Sequence, residues 1–133
     1  MLHRVLVCGG RDYSDKARLF AILDHYHREA GSFECLIHGA ASGADSLAGE
    51  WAVARAVPVL PFPAVWDDLT THPVVTRHRR DGTPYNVLAG SIRNTRMLRE
   101  GSPTVVIAFP GGKGTADMVR KSHMANVPVL VIP

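Results

Sequence analysis

Cysteine is scarce in this sequence, with two residues among 133, which leaves no basis for a disulfide framework. Cys8 and Cys35 each lie in an apolar run, so we predict two reduced core thiols and a cytoplasmic location. No apolar run approaches the ~20 residues that span a bilayer, and the N-terminal apolar stretch is too short for a signal peptide. A soluble protein without membrane contact is expected. The seven histidines form no cluster of metal ligands, so no metal is predicted.

Neither sign of charge dominates the chain. The net charge is +3 with histidine neutral, and the sequence pI is about 9.2. This balance permits contact with nucleic acid but is too mild to indicate it, and anionic small molecules are equally compatible. The length of 133 residues fits a single domain over 1–133 with one core.

Short apolar runs alternate with segments of helical spacing. One helix is predicted to start at Ser14 or Asp15 and another at Ser91, and the last is predicted over 116–126. This alternation predicts an α/β fold, in which right-handed βαβ units form a parallel sheet with helices on both faces. The five predicted strands are 5–8, 33–37, 57–62, 104–107 and 127–132.

Turns rich in glycine and small residues follow the first, second and fourth predicted strands, at 9–12, 38–45 and 110–115. In parallel sheets the ligand lies at the carboxyl ends of the strands where the winding direction reverses, which we place between the first and fourth strands. The turn 110–115 leads from a strand into a helix, where unpaired N–H groups and the helix dipole favour an anion. A purely steric turn is the alternative. Neither GxxxxGK[ST] nor GxGxxG is present, so neither an ATPase nor a standard dinucleotide site is predicted.

The predicted site is a phosphate cradle with charged walls. Arg11 and Arg93 offer guanidinium forks and Lys113 a point charge, whereas Asp45 suits sugar hydroxyls or an arginine partner. No separate cofactor is predicted. The predicted binding residues are Gly9, Gly10, Arg11, Ser42, Gly43, Asp45, Arg93, Asn94, Pro110, Gly111, Gly112, Lys113, Gly114 and Thr115.

The segment 63–90 shows no periodicity, and we predict a long loop that covers a site or contacts a partner subunit. Its basic run 77–80, with His72 and His78, is able to grip phosphates, although a solvated loop surface is the commoner explanation. Trp66 supplies either a stacking surface or an anchor that buries its indole.

Three motifs resemble a known superfamily. PGGKGT at 110–115 is similar to the PGGxGTxxE signature of the LOG proteins, cytokinin-activating phosphoribohydrolases. HGAASGAD at 38–45 and AGSIRN at 89–94 resemble the YspA/YpsA-related branch of the same SLOG superfamily. The resemblance extends from Val5 to Val131. It implies a Rossmann-like doubly wound sheet that commonly dimerises, so a homo-oligomer, specifically a dimer, is expected.

LOG enzymes cleave the N-glycosidic bond of nucleoside 5′-monophosphates. The resemblance implies that 111–115 hold the phosphate and that Arg93 matches the catalytic arginine. The glutamate of the signature falls on Met118, which cannot take a proton or stabilise an oxocarbenium-like centre. Asp117 is adjacent but lies about 100° further round the helix. Asp45 or Asp117 would have to supply the missing carboxylate.

Three functional hypotheses follow. We favour binding of a nucleotide or nucleotide-derived ligand, as in a sensor. The second hypothesis is a phosphoribohydrolase with Arg93, Asp45 and Asp117 as catalytic residues. The third is single-stranded DNA binding, as in the superfamily member DprA; it is not favoured, because aromatic side chains for base stacking are sparse around the basic run.

Overall fold

The computed structural model describes residues 2–71 and 73–133, so the predicted phosphate contact at His72 lies outside the described residues. Within these ranges no helix is long and apolar enough to cross a bilayer. The strands and helices, in chain order, are β1 (His3–Cys8), α1 (Lys16–Glu29), β2 (Phe33–His38), α2 (Ala44–Ala54), β3 (Val59–Pro61), β4 (Thr76–His78), β5 (Pro84–Asn86), α3 (Ala89–Gly101), β6 (Val105–Ala108), α4 (Lys113–Met124) and β7 (Val129–Val131).

Five parallel strands form the central sheet, in the order β3-β2-β1-β6-β7. The chain moves outward from β1 to β3 and then returns to β6 beside β1, so the winding direction reverses between β1 and β6. This order confirms the predicted sheet and the predicted position of the reversal. The loops after β1 and β6 therefore emerge side by side at one edge.

Alternate side chains of the central strand point to opposite faces of the sheet. Both faces are therefore apolar, and helices cover both. Val5 and Val7 pack with α1 and α2, including Trp51, in one apolar cluster. Leu6 packs with α3 and α4, including Met118, in a second cluster. The doubly wound, Rossmann-like architecture is thereby confirmed. Both cysteines are free and buried, one in β1 and one in β2, as predicted.

The segment between β3 and α3 is more ordered than the predicted loop. β4 and β5 pair there as an antiparallel hairpin, and α3 starts at Ala89, two residues before Ser91. At the turn, the Arg79 N–H donates to the Thr83 carbonyl at 2.9 Å, and Gly82 has a φ of 89°. The hairpin was missed because its strands are three residues long and are exposed apart from Tyr85 and Asn86, so they carry no apolar alternation. The sign of the hairpin is the Asp-Gly turn.

Asn86 fixes the crossover segment, which we define as residues 63–88 without His72. Its side chain is buried, and its Oδ1 accepts from the N–H groups of Val75 and Leu88, both at 3.1 Å. Its Nδ2 donates to the Pro73 carbonyl at 3.2 Å, and its own N–H donates to the Trp66 carbonyl at 2.7 Å. One side chain therefore satisfies backbone groups on both sides of the hairpin.

We predict that Asn86→Ala destabilises the protein by about 2–3 kcal/mol, because it leaves buried backbone groups without partners. Urea unfolding measures this loss, and limited proteolysis locates it in the crossover segment. Thr76→Ala, at an exposed position of β4, is the control in the same hairpin and should change stability by less than ~0.5 kcal/mol. An Asn86→Ala variant as stable and as protease-resistant as the parent would contradict this account.

Candidate ligand-binding site

A cleft of about 950 Å³ opens where the winding reverses. It is bordered by the loops after β1, β2 and β6, the first turn of α3 and part of the crossover segment. The predicted site residues that line it are Gly9, Gly10, Arg11, Asp45, Arg93, Asn94, Pro110, Gly111, Gly112, Lys113, Gly114, Thr115 and Asp117.

Ser42 and Gly43 are not among the cleft-lining residues and instead join two loops. The Ser42 hydroxyl donates to the Arg11 carbonyl at 3.3 Å. Gly43 has a φ of 77°, and a Cβ there would overlap the carbonyl oxygens of Gly10 and Arg11. The close approach of the two loops therefore requires glycine at this position. Direct contact of Ser42 and Gly43 with a ligand stays a prediction.

The cradle, residues 110–115, lies partly inside α4. The helix begins at Lys113, three residues before its predicted start, so Lys113, Gly114 and Thr115 form its first turn. Its N-cap is Gly112, which supplies no side-chain oxygen to the first N–H groups, and the first turn holds no acidic residue. The space that a Cβ would fill at Gly112 and Gly114 is open. Uncapped donors at a positive helix end, facing a cleft, suit a phosphate.

Arg93 is half-buried in the wall of the cleft. Its Nη1 donates to the Gly39 carbonyl at 2.5 Å and its Nε to Asn94 Oδ1 at 3.0 Å. Burial lowers the pKa of Arg93, while the charge of Asp45 opposes this shift. An arginine stays protonated in proteins even so, and Arg93 therefore contributes a fixed positive charge to the cleft.

Asn94 connects Arg93 to the cradle. The side chain is buried, and its Nδ2 donates to the Gly114 carbonyl at 3.2 Å and to Asp117 Oδ2 at 3.0 Å. Together with the bond from Arg93, these contacts occupy both ends of the amide. Asn94 therefore positions its neighbours rather than offering a free donor.

The turn after β2 is organised by two buried acceptors. Asp45 Oδ2 accepts from the N–H groups of Gly39 at 3.1 Å and Ala41 at 3.2 Å. His38 Nδ1 accepts from the Ala40 N–H at 2.9 Å, and burial, with the charge of Arg93, lowers the pKa of His38. A neutral imidazole and a carboxyl thus hold this turn against the cleft.

Asp45 is the buried carboxyl of the cleft. Burial raises its pKa, although the N–H of Ala41 and the charge of Arg93 partly offset the shift. Among the described residues no hydrogen bond reaches its Oδ1, which leaves that oxygen available to a ligand. Cys8 lies close by, and burial together with Asp45 raises the pKa of its thiol to about 12. Cys8 is consequently not a nucleophile at neutral pH.

Asp117 is held by cations. Its Oδ1 accepts from Arg120 Nη2 at 2.7 Å, and its Oδ2 lies 3.1 Å from Lys121 Nζ in addition to the bond from Asn94. Burial raises the pKa of Asp117, but these hydrogen bonds and the charge of Lys121 outweigh it, and the pKa is lowered overall. Asp117 therefore suits a structural anchor better than a proton donor.

Met118 faces the core, where it is 1% exposed and packs on the sheet with α3. It does not line the cleft. The Met118 side chain is therefore part of the core and not of the cleft wall.

The basic run 77–80 lies outside the cleft wall, on the exposed hairpin. Within it, Arg79 pairs with Asp67 at 2.9 Å and packs over the Tyr85 ring at 5.1 Å. These contacts reduce the charge that the run presents to an anion. Among the described residues, no three His, Cys, Asp or Glu side chains are grouped closely enough to hold a metal ion.

Two aromatic residues in the wall extend the predicted set. Tyr13 packs on Phe109 with ring centroids 5.4 Å apart, and its buried hydroxyl has no partner among the described residues. Trp66, from the crossover segment, lies under the Arg11 guanidinium. Tyr13 was missed because a tyrosine directly after the turn 9–12 looks like any helix-flanking residue, and no spacing marks it as part of a site.

Comparison with known proteins places the chain in a family. The family model described as YspA, cpYpsA-related SLOG matches residues 3–68. The Gene 61 protein of Mycobacterium phage D29 is 31% identical over 132 residues, which cover 97% of this chain and 95% of the relative. The chain belongs to the YspA and cpYpsA-related SLOG family. The resemblance to this branch is thereby confirmed.

The residues that the family model matches supply only some of the loops around the cleft. The match includes the loops after β1 and β2, with Arg11 and Asp45, and ends before α3 and the cradle. The likeness of 110–115 to the LOG signature therefore stays a prediction. So do dimerisation and a cytoplasmic location.

We predict that Asp45 makes the stability of this SLOG protein pH-dependent. Because the folded pKa is raised, the proton is held more tightly in the folded state, so the stabilisation is complete below the unfolded pKa near 4 and is lost as pH rises through the folded pKa. Asp45→Asn is neutral at every pH. Its free energy of unfolding should therefore gain on that of the parent as pH rises from 4 to 8, measured by urea titration.

Asp45→Ala is the companion variant, since it also removes the acceptor for Gly39 and Ala41. It should be less stable than Asp45→Asn by about 1–3 kcal/mol across that range. A constant difference between the parent and Asp45→Asn at all pH values would argue against the raised pKa.

Proposed function

We propose that this SLOG protein binds a nucleotide or nucleotide-derived ligand in the cleft, with a phosphate group at the cradle. The observation that carries the proposal is the uncapped start of α4, which opens into the same cleft as two arginines from other elements. Membership of a SLOG family supports a nucleotide-related ligand.

The charges of the cleft favour an anion at its cradle end. Lys113 is exposed at the first position of α4, and Arg11 and Arg93 line the same cleft. Cations and helix N–H groups together form charge-assisted hydrogen bonds to phosphate oxygens. The volume of about 950 Å³ exceeds that of a phosphate alone and is sufficient for a nucleotide.

The surroundings of Asp117 and Met118 favour ligand binding without chemical turnover. Asp117 is occupied by Arg120, Lys121 and Asn94, and Met118 stands in the core at the position of the signature glutamate. A protein that binds a nucleotide and leaves it intact is suited to sensing the ligand.

We predict that Lys113→Ala weakens nucleotide binding about tenfold, equivalent to ~1.4 kcal/mol. Isothermal calorimetry against nucleoside monophosphates, NAD and ADP-ribose measures the effect. Lys16→Ala is the matched control, since Lys16 is likewise the first residue of its helix but lies on α1, outside the cleft wall. Equal losses in both variants, or a parent protein that binds none of these ligands, would refute the proposed cradle.

A second candidate function is hydrolysis of the N-glycosidic bond of a nucleoside 5′-monophosphate. The observation that favours it is Asp45, a buried carboxyl with a raised pKa close to the positive charge of Arg93. The Oδ1 of Asp45 accepts no hydrogen bond from residues 2–71 and 73–133. A raised pKa is what a general acid for the leaving base requires. If the parent releases ribose 5-phosphate from a monophosphate and Asp45→Asn does not, this function is supported.

Restoring the glutamate of the LOG signature should not create a hydrolase. We predict that Met118→Glu lowers stability by about 3 kcal/mol or more, because it buries a carboxylate among apolar side chains. Met118→Leu keeps the volume and should cost less than ~1.5 kcal/mol. Thermal unfolding and an assay for free base test both variants, and a stable Met118→Glu protein with new activity would show that this side chain reaches the ligand.

A further inference from the structure

Trp66 is a half-buried indole on the wall of the cleft, contributed by the crossover segment. A Cβ at Gly90 would stand 3.2 Å from its Cη2, so the indole lies directly against the glycine backbone. Tyr85 contacts it edge-on, with ring centroids 6.3 Å apart. The Trp66 carbonyl accepts from the Asn86 N–H at 2.7 Å. The ring is thus held in place before any ligand binds.

Arg11 lies over this indole, with its Cζ 5.3 Å from the ring centroid. Its side chain is exposed, and no carboxylate within the described ranges is at ion-pair distance from it. A guanidinium stacks on the same π surface that a nucleobase uses. Arg11 therefore occupies a surface on which a base fits.

When a base replaces Arg11 on the indole, both the base and Arg11 gain a favourable contact. At an exposed site a cation over an aromatic ring contributes less than a stacked base does. Arg11 also belongs to the loop after β1, whose Gly10 N–H donates to the Pro110 carbonyl of the cradle at 2.8 Å. A displaced guanidinium from this loop is placed to pair with a phosphate at the cradle.

We propose that Trp66 is the platform on which the aromatic base of the ligand stacks, and that Arg11 leaves the indole for the phosphate when the ligand binds. The proposal rests on the proposed nucleotide-binding function. It adds that the cleft selects a phosphorylated ligand that carries an aromatic base over a base-free sugar phosphate.

Tryptophan fluorescence gives a direct test, because the chain contains two tryptophans. Trp51 is fully buried, its Nε1 donates to Asp24 Oδ1 at 2.9 Å, and it does not line the cleft. A change of emission on binding therefore reports Trp66. We expect AMP, GMP, CMP, UMP or ADP-ribose to quench the emission by stacking. Ribose 5-phosphate, which can only draw Arg11 off the indole, should not produce this quench, and the quench should vanish in Trp66→Phe.

Calorimetry on two variants separates stacking from anchoring. Trp66→Leu should weaken the binding of the best nucleotide about tenfold and leave the affinity for ribose 5-phosphate within about twofold of the parent. Trp66→Phe keeps an aromatic face and should stay within about threefold for both ligands. Thermal unfolding confirms that each variant is folded. If the leucine variant is not, the parent's affinity for nucleotide relative to ribose 5-phosphate and the quench that is lost in Trp66→Phe carry the test.

Equal losses for nucleotide and ribose 5-phosphate in Trp66→Leu would make Trp66 an anchor of the crossover segment and overturn the platform. A parent protein that binds ribose 5-phosphate as tightly as every nucleotide would overturn it as well, with the cradle intact. A parent that binds none of these probes would instead refute the proposed function itself.

Discussion

Backbone contact between the loops after β1, β2 and β6 is the constraint on which the rest of the site depends. Gly10 is at its centre, since its N–H donates to the Pro110 carbonyl at 2.8 Å and its carbonyl accepts from the Ala44 N–H at 3.1 Å. The loops after β1, β2 and β6 are therefore fixed to one another through main-chain bonds. Gly43 permits this approach, because any side chain there would overlap the loop after β1. The shape of the cleft is set by backbone geometry before any charged side chain is considered.

A network of side-chain hydrogen bonds positions the charged residues of the cleft on these loops. Asp45 holds the turn after β2, Arg93 reaches that turn through the Gly39 carbonyl, and Asn94 carries the connection on to α4. Asp117 ends the chain of contacts, where Lys121 and Arg120 neutralise it. Such a series couples the orientation of Arg93 to the start of α4, since each polar group is satisfied only while its neighbour stays in place. The positive charge in the cleft is thus preorganised.

Much of the fold was predictable from the sequence, because the buried parallel strands of this chain are short apolar runs, several of them followed by glycine turns. Asp15 caps α1 as expected, and the winding reverses where the βαβ pattern placed it. The orientation of side chains within one helix was harder. Asp117 and Met118 are neighbours in sequence, yet one is bound by cations and the other is in the core. The start of α4 was placed three residues late, because glycines are poor helix formers and hide the first turn.

The crossover segment was the least predictable part of the chain, and its two strands lie outside the central sheet. Its order comes from one buried amide, Asn86, and from a turn at Gly82, and neither feature produces periodicity. β4 and β5 pair with each other and not with the central sheet, so this segment contributes no described strand to the five-stranded scaffold. On the proposed function, phosphate recognition falls to the cradle and ligand selectivity to the crossover segment, which are separate parts of the chain. That division would allow members of this fold to acquire new ligands through one insertion without remaking the core.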